Sequence, residues 1–202
     1  MSSASDVANQ PARFAFTPEN LERAKQHIAK YPPGRQSSAV LALLDLAQRQ
    51  NGGWLPRAAM DHVAGILDMA PIRVYEVATF YTMLNLMPVG RYHLQVCRTT
   101  PCWLRGADEL TEICKRKLGI GLKGRTADGT FSLIEVECLG ACVNAPVVQI
   151  NDDLYEDLDP KRLEAILDAL ARGGKPTMGS QIGRQGSAPE GGPQVLLGRA
   201  GE

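Results

Sequence analysis

Four cysteines in two close pairs constrain this chain more than any other feature. Cys97 and Cys102, with four residues between them, close the alternating segment Tyr92-His93-Leu94-Gln95-Val96. Cys138 and Cys142, with three residues between them, follow a second such segment, Phe131 to Glu137. Alternation of this kind is what a half-buried strand produces, so two cysteine pairs hang from two predicted strand ends. Neighbouring strands lie only about 4.8 Å apart. Loops leaving one edge of a sheet therefore bring all four sulfurs around one small centre, and the 35 residues between Cys102 and Cys138 are ample chain to go out and return.

Single cysteines are often small buried hydrophobes, but two close pairs, each beside turn-formers, are poorly explained that way. Disulfides are the next reading. Met1 to Gln10 is small and polar with no apolar core, so no secretion signal is expected, and intracellular compartments keep most thiols reduced. Four thiolates suit tetrahedral zinc, although zinc knuckles favour Cys-x2-Cys spacing, which neither pair has. A binuclear iron–sulfur centre divides its ligands two and two, which the wider spacings suit. Spacing alone leaves iron–sulfur, zinc and a thiol redox site open, in that order of fit.

Composition narrows the classes further. Basic and acidic residues are equal at 22 each, without the positive footprint of a general nucleic-acid binder. The longest apolar run, Ala39 to Ala47, is broken by Asp45 and falls well short of the roughly 20 residues of a membrane span. No nucleic-acid partner and no direct membrane insertion are expected.

Four short helices are predicted before residue 88. Thr17 caps the first, Pro18 opens it, Phe16 is placed to staple onto Leu21, and "YPPG" from Tyr31 stops it. The second spans about Ser38 to Gln50, the third Pro56 to Leu67 and the fourth Pro71 to Leu84. The fourth carries Ile72, Tyr75, Val77, Phe80, Tyr81 and Leu84, its aromatics read as core or interface filler. "MPVG" at Met87 to Gly90 marks a boundary, after which the period changes from 3.6 to 2. The order from there is strand, helix, strand, strand, helix: a small α/β or α+β layer arrangement. Cys114 shares a helical stripe with Leu110, Ile113 and Leu118 and reads as core. Lys115, Arg116, Lys117, Lys123 and Arg125 read as a solvated helix end, with an acidic partner as the alternative. Asp159 and Pro160 open a last helix with the stripe Leu163, Ile166, Leu167 and Leu170. From Gly173 onward nine glycines and three prolines give the composition of a tail, in which Val195 to Leu197 suggest a short anchor onto another protein.

The segments "VCRTTPCWLRGA" (Val96 to Ala107) and "VECLGACVNAPVVQIND" (Val136 to Asp152) resemble the E-subunit family of the NADH:quinone oxidoreductases, respiratory complex I. "YPPGRQSSAVLALLDLAQ" (Tyr31 to Gln48) and "IRVYEVATFYTML" (Ile72 to Leu84) extend the likeness, which runs from about Phe14 to Ala171. The resemblance implies an α/β chain: a mobile N-terminus over 1–15, a helical bundle over 16–87, a thioredoxin-like [2Fe-2S] domain over 88–172 and an extended tail over 173–202. It implies one [2Fe-2S] cluster ligated by Cys97, Cys102, Cys138 and Cys142. It also implies a flavoprotein (F subunit) partner carrying FMN and the NADH site, contact with the G subunit, and a place on the cytoplasmic side of a bacterial inner membrane, or the matrix side in a mitochondrion. Diaphorase-type subunits of NAD-linked formate dehydrogenases or hydrogenases are closely similar and remain the alternative, followed by a zinc-stabilised interaction module.

No catalytic residue is expected. His27 and His62 lie in predicted helices and His93 in the strand before Cys97, none with a nucleophile at a recognisable spacing. The chain is expected to carry no dinucleotide fingerprint and no phosphate loop, so nothing suggests that NADH binds here. Backbone N–H groups in the turns Arg98 to Pro101 and Leu139 to Ala141 are the expected donors to the sulfurs, Arg98 and Arg105 add positive charge, and Gly140 is expected to permit a tight approach.

Overall fold

The computed structural model describes residues 10–192, which divide into two compact units at Val89 and Gly90. Of the expected mobile start over 1–15, residues 1–9 lie outside the described residues, as does the anchor Val195 to Leu197; Gln10 Oε1 accepts the Arg57 N–H at 3.0 Å and Phe14 packs against the helical core.

The first unit holds α1 (Pro18–Ile28), a 3-10 turn (Gln36–Ala39), α2 (Val40–Gln50), α3 (Arg57–Leu67) and α4 (Pro71–Phe80). Thr17 Oγ1 accepts the Asn20 N–H at 3.3 Å, so the predicted cap forms. Phe16 does not staple onto Leu21, which stays exposed. Its ring instead meets Phe14 and His62 edge-on, and its N–H donates to His62 Nε2 at 3.2 Å. Leu43, Leu44, Ala47, Val63, Leu67, Val74 and Ala78 make the core.

α4 ends one turn before its predicted limit because of a side chain 35 residues away. Gln48 Nε2 donates to Met83 O at 3.1 Å and its Oε1 accepts the Asn85 N–H at 2.6 Å. These bonds satisfy backbone groups that a continued helix would have used. The shortened helix buries Val74 and Ala78, while Ile72 and Phe80 are 60% and 76% exposed. Phe80 is thus not core filler.

The second unit is a six-stranded sheet with helices packed on it. Its elements are β1 (Tyr92–Cys97), α5 (Thr100–Leu104), α6 (Ala107–Leu118), β2 (Gly124–Arg125), β3 (Phe131–Val136), β4 (Val148–Ile150), β5 (Asp153–Glu156), α7 (Pro160–Ala171) and β6 (Gly179–Ser180), in the order β2-β3-β1-β4-β5-β6. β1 and β3 are parallel neighbours, and the crossover between them carries α5 and α6. Leu94, Val96, Leu133, Val148 and Ile150 pack against Leu110, Ile113 and Cys114 of α6 and Leu163, Ile166 and Leu167 of α7. Asp159 Oδ1 accepts the Arg162 N–H at 2.8 Å, as a predicted N-cap should. Gly90 enters this unit where a Cβ would lie 2.3 Å from the carbonyl carbon of Phe131, so only glycine fits.

The basic helix end is paired rather than free, and the tail reading changes. The basic cluster of α6 is largely neutralised: Lys115 pairs with Glu112 at 2.7 Å, Arg116 with Glu164 at 3.0 Å and Lys117 with Asp168 at 2.8 Å. Gly173 to Gly192 is also not a free tail. β6 pairs in parallel with β5, and Arg184 forms a buried ion pair with Asp157. Composition misses this because the attachment rests on a few polar side chains rather than on apolar area.

His93 is the second residue of β1, with Nδ1 2.7 Å from Ser132 Oγ. Burial pushes its pKa from 6.5 down to about 4, which makes it a structural histidine. The folded state therefore resists protonation that the unfolded chain accepts. Stability is complete above pH 6.5 and is lost as pH falls toward 4. Unfolding by urea should show about 1 kcal/mol less stability near pH 5.5 than near pH 7.5 for the wild type, against a flatter profile for His93→Gln. Parallel profiles for the two chains would refute the assignment.

Candidate metal centre

Parallel pairing aligns Cys97 with Val136, so β1 and β3 end at one sheet edge. Cys97 closes β1, Cys102 lies in the first turns of α5, and the loop after β3 carries Cys138 and Cys142. Cys97 is fixed on both sides: its N–H donates to Val147 O at 3.2 Å, and the following Arg98 N–H donates to Val136 O at 3.1 Å. Cys97 and Cys102 are buried, Cys142 is half-buried and Cys138 is exposed, all as free thiols. Cys138 Sγ and Cys142 Sγ are 3.3 Å apart, and the Cys97 and Cys102 thiols shift each other's acidity. Among the described residues no three Cys, His, Asp or Glu side chains close on a single ion. The donors come as two pairs.

Each pair holds one sulfur toward thiolate. Burial pushes the Cys97 thiol up, but the Thr99 hydroxyl and the N–H groups of Leu139 and Thr99 outweigh it, and its pKa falls. Thr99 Oγ1 lies 3.3 Å from Cys97 Sγ. The Gly140 N–H, 3.4 Å from Cys138 Sγ, lowers the Cys138 thiol. Burial, reinforced by neighbouring Cys97, raises Cys102 to about 12; the Cys138 contact raises Cys142, with burial second. Four such thiols cannot all ionise together without a cationic core to bind them. Arg98, which follows Cys97, is already engaged, since it pairs with Glu135 at 3.8 Å. All-sulfur donors in two pairs, with N–H groups aimed at them, fit a [2Fe-2S] cluster.

Some sequence expectations shift in detail. Gly140 is required by its backbone, with φ of 82°, rather than by crowding, because a Cβ there meets nothing within 4 Å. Sequence reasoning passes over Thr99, although a hydroxyl two residues after a candidate ligand is a legible donor. One spacing needs correction: Gly119-Ile120-Gly121-Leu122-Lys123-Gly124 does match Gly-x-Gly-x-x-Gly. It leaves α6 and enters β2, the reverse of the strand-to-helix order that puts phosphate on a helix N-terminus. Gly119 caps α6 in the left-handed region, with φ of 66°, so these glycines end a helix and cradle no nucleotide. Cys114 is fully buried in the core, and burial pushes its thiol up to about 12.

Pro101, Leu104, Arg105, Cys142, Val143, Ala145, Arg184 and Glu190 line a cavity of about 380 Å³ beside the pairs. Leu104 and Val143, each close in sequence to a cysteine, are 70% and 63% exposed.

The family model Thioredoxin-like [2Fe-2S] ferredoxin matches residues 24–171. The E subunit of the NADH-quinone oxidoreductase from Rickettsia bellii (strain RML369-C) is 64% identical over 157 residues, covering 78% of this chain and 94% of that protein. The mitochondrial NADH dehydrogenase [ubiquinone] flavoprotein 2 of Dictyostelium discoideum is 50% identical over 190 residues, covering 94% of this chain and 76% of that protein. Among solved structures, an NAD+-reducing [NiFe]-hydrogenase in the air-oxidized state aligns with a TM-score of 0.57 at 22% identity, over 64% of this chain and 23% of its own. That last likeness is one of fold. Identity at the level of the Rickettsia protein, across nearly its whole length, goes further: this chain belongs to the thioredoxin-like [2Fe-2S] ferredoxins and, within them, to the E subunits of NADH-quinone oxidoreductase.

Proposed function

We propose that Cys97, Cys102, Cys138 and Cys142 ligate one [2Fe-2S] cluster, through which this subunit of NADH:quinone oxidoreductase exchanges single electrons with FMN on a partner flavoprotein. The observation that carries the reading is the pairing of four thiols at the shared end of two parallel strands. When bound, the cluster supplies one-electron oxidation and reduction. The chain's own residues do the rest. β1 and β3 hold the two cysteine loops in register, while Thr99, Leu139 and Gly140 direct donors at the sulfurs, stabilising added negative charge. Burial of Cys97 and Cys102 keeps water from one side.

The other side faces outward. Leu104 and Val143 leave apolar surface uncovered next to the cysteines, as a docking face would, and the flavoprotein F subunit is the partner proposed for it. Ile72 and Phe80 on the helical unit are a second such face, suited to a further partner such as the G subunit. No helix among the described residues is long and apolar enough to cross a membrane, so attachment through those partners, in a peripheral arm on the cytoplasmic or matrix side, is the proposed location.

Anaerobically purified chain should contain about two irons and two acid-labile sulfides, with a visible spectrum bleached by one electron. Stoichiometric zinc without labile sulfide would refute the cluster.

A further inference from the structure

Gly179 to Gly192 has the composition of a linker, yet it is pinned beside the second cysteine loop by buried polar contacts. Arg184 Nη2 donates to Asp157 Oδ1 at 2.7 Å, with side chains 8% and 3% exposed, and its Nη1 donates to Ala188 O at 3.2 Å. Ser180 Oγ donates to Asp157 Oδ2 at 2.6 Å and accepts the Arg184 N–H at 3.1 Å. Asn144, two residues after Cys142, ties this segment to the loop. Its Nδ2 donates to Gly186 O at 2.8 Å and to Glu156 Oε2 at 2.5 Å, and its backbone carbonyl accepts the Asp157 N–H at 2.7 Å.

A buried ion pair is weak evidence for stability, because desolvating both charges offsets most of their attraction. Two further polar atoms here, Arg184 Nε and Asn144 Oδ1, are buried with no hydrogen-bond partner among the described residues. A charge held on such terms calls for a role beyond tying down a chain. Its position supplies one: Arg184 lines the cavity that Cys142 also lines, whereas Asp157 does not.

Resting on the cluster assignment above, we propose that Arg184 is a positioning and potential-setting residue. The strap that carries it fixes the Cys138–Cys142 loop and turns one positive charge, backed by Asp157, toward the cluster's edge. A cluster with four thiolate ligands becomes more negative on reduction, so a nearby buried cation favours the reduced form. Asp157 partly cancels that effect from behind. Opposite signs follow for the two partners.

The test is an EPR-monitored redox titration of the full-length holoprotein and its variants. Arg184→Gln should shift the midpoint potential down, Asp157→Asn should shift it up, and Arg184→Lys should stay near the wild type. The Arg184→Gln/Asp157→Asn double variant should return most of the way, since the two lost charges cancel. Should Arg184→Gln fail to fold, the Asp157→Asn shift and the double variant still decide the question. Unmoved potentials, or single variants shifting in the same direction, would overturn the role and leave the strap a mechanical tie. A wild-type chain with no [2Fe-2S] signal would overturn the cluster assignment itself, a distinct outcome visible before any variant is made.

Discussion

Cys102→Ala should yield a folded chain without the [2Fe-2S] EPR signal, while Cys114→Ala keeps the signal at full intensity. Both residues are buried thiols raised to about 12 by burial, so accessibility and acidity do not separate them. Position does. Cys102 feels the charges of Cys97 and Cys142, so on the proposed ligation deleting its sulfur would leave one iron a ligand short. Cys114 sits in the core with Leu110 and Ile113, on a helix stripe packed against the sheet. Its truncation removes one small group from a packed interior and should cost about 1 kcal/mol. Iron analysis and low-temperature EPR of the two variants check this, with a thermal melt to establish folding. Loss of the signal from a folded Cys114→Ala chain would show that the ligands are misassigned.

How much of this is legible in the sequence depends on the range of the interaction. Local signals transfer well: Thr17 and Asp159 cap their helices, Pro18 and Pro160 open them, and the stripe Leu163, Ile166, Leu167 and Leu170 faces the core. The cysteine pairs are legible because strand ends bring distant loops together, although only the fold supplies the parallel register of β1 and β3. What fails is long-range and polar. α4 stops where it does because of Gln48, and nothing in Tyr81 to Asn85 announces that clamp. β2 and β6 are two residues each, too short for any period to be read. The strap's attachment rests on Arg184 and Asp157, 27 positions apart, in a segment whose glycine content argues for freedom. Composition measures how much apolar surface a segment can bury; it is blind to a single buried ion pair.

NADH should leave the isolated chain oxidised and reduce its cluster only after a flavin-bearing partner is added. The glycine run with dinucleotide spacing lies at a helix C-terminus, so it offers no phosphate site, and a one-electron centre cannot accept the two-electron hydride directly. On the proposed function, the partner's flavin would divide the pair. Two truncations then separate the parts of the C-terminal segment. Ending the chain after Gly192 removes Val195 to Leu197 but retains β6 and Arg184; it should weaken flavoprotein binding and leave the EPR spectrum as in the wild type. Ending it after Lys175 also removes Arg184 and leaves the Asp157 carboxylate buried without its partner. A buried charge stripped of its counter-ion destabilises by about 3–5 kcal/mol, so this shorter chain should alter the spectrum and lose cluster as well as binding. Leu104→Glu, on the face beside the cysteines, should slow NADH-driven reduction without moving the isolated spectrum. Binding and reduction measured by mixing each chain with the flavoprotein check these orders of effect. Rapid reduction of the flavin-free chain by NADH would overturn the division of labour, and equal binding by the chain ending at Gly192 would remove the anchor from the account.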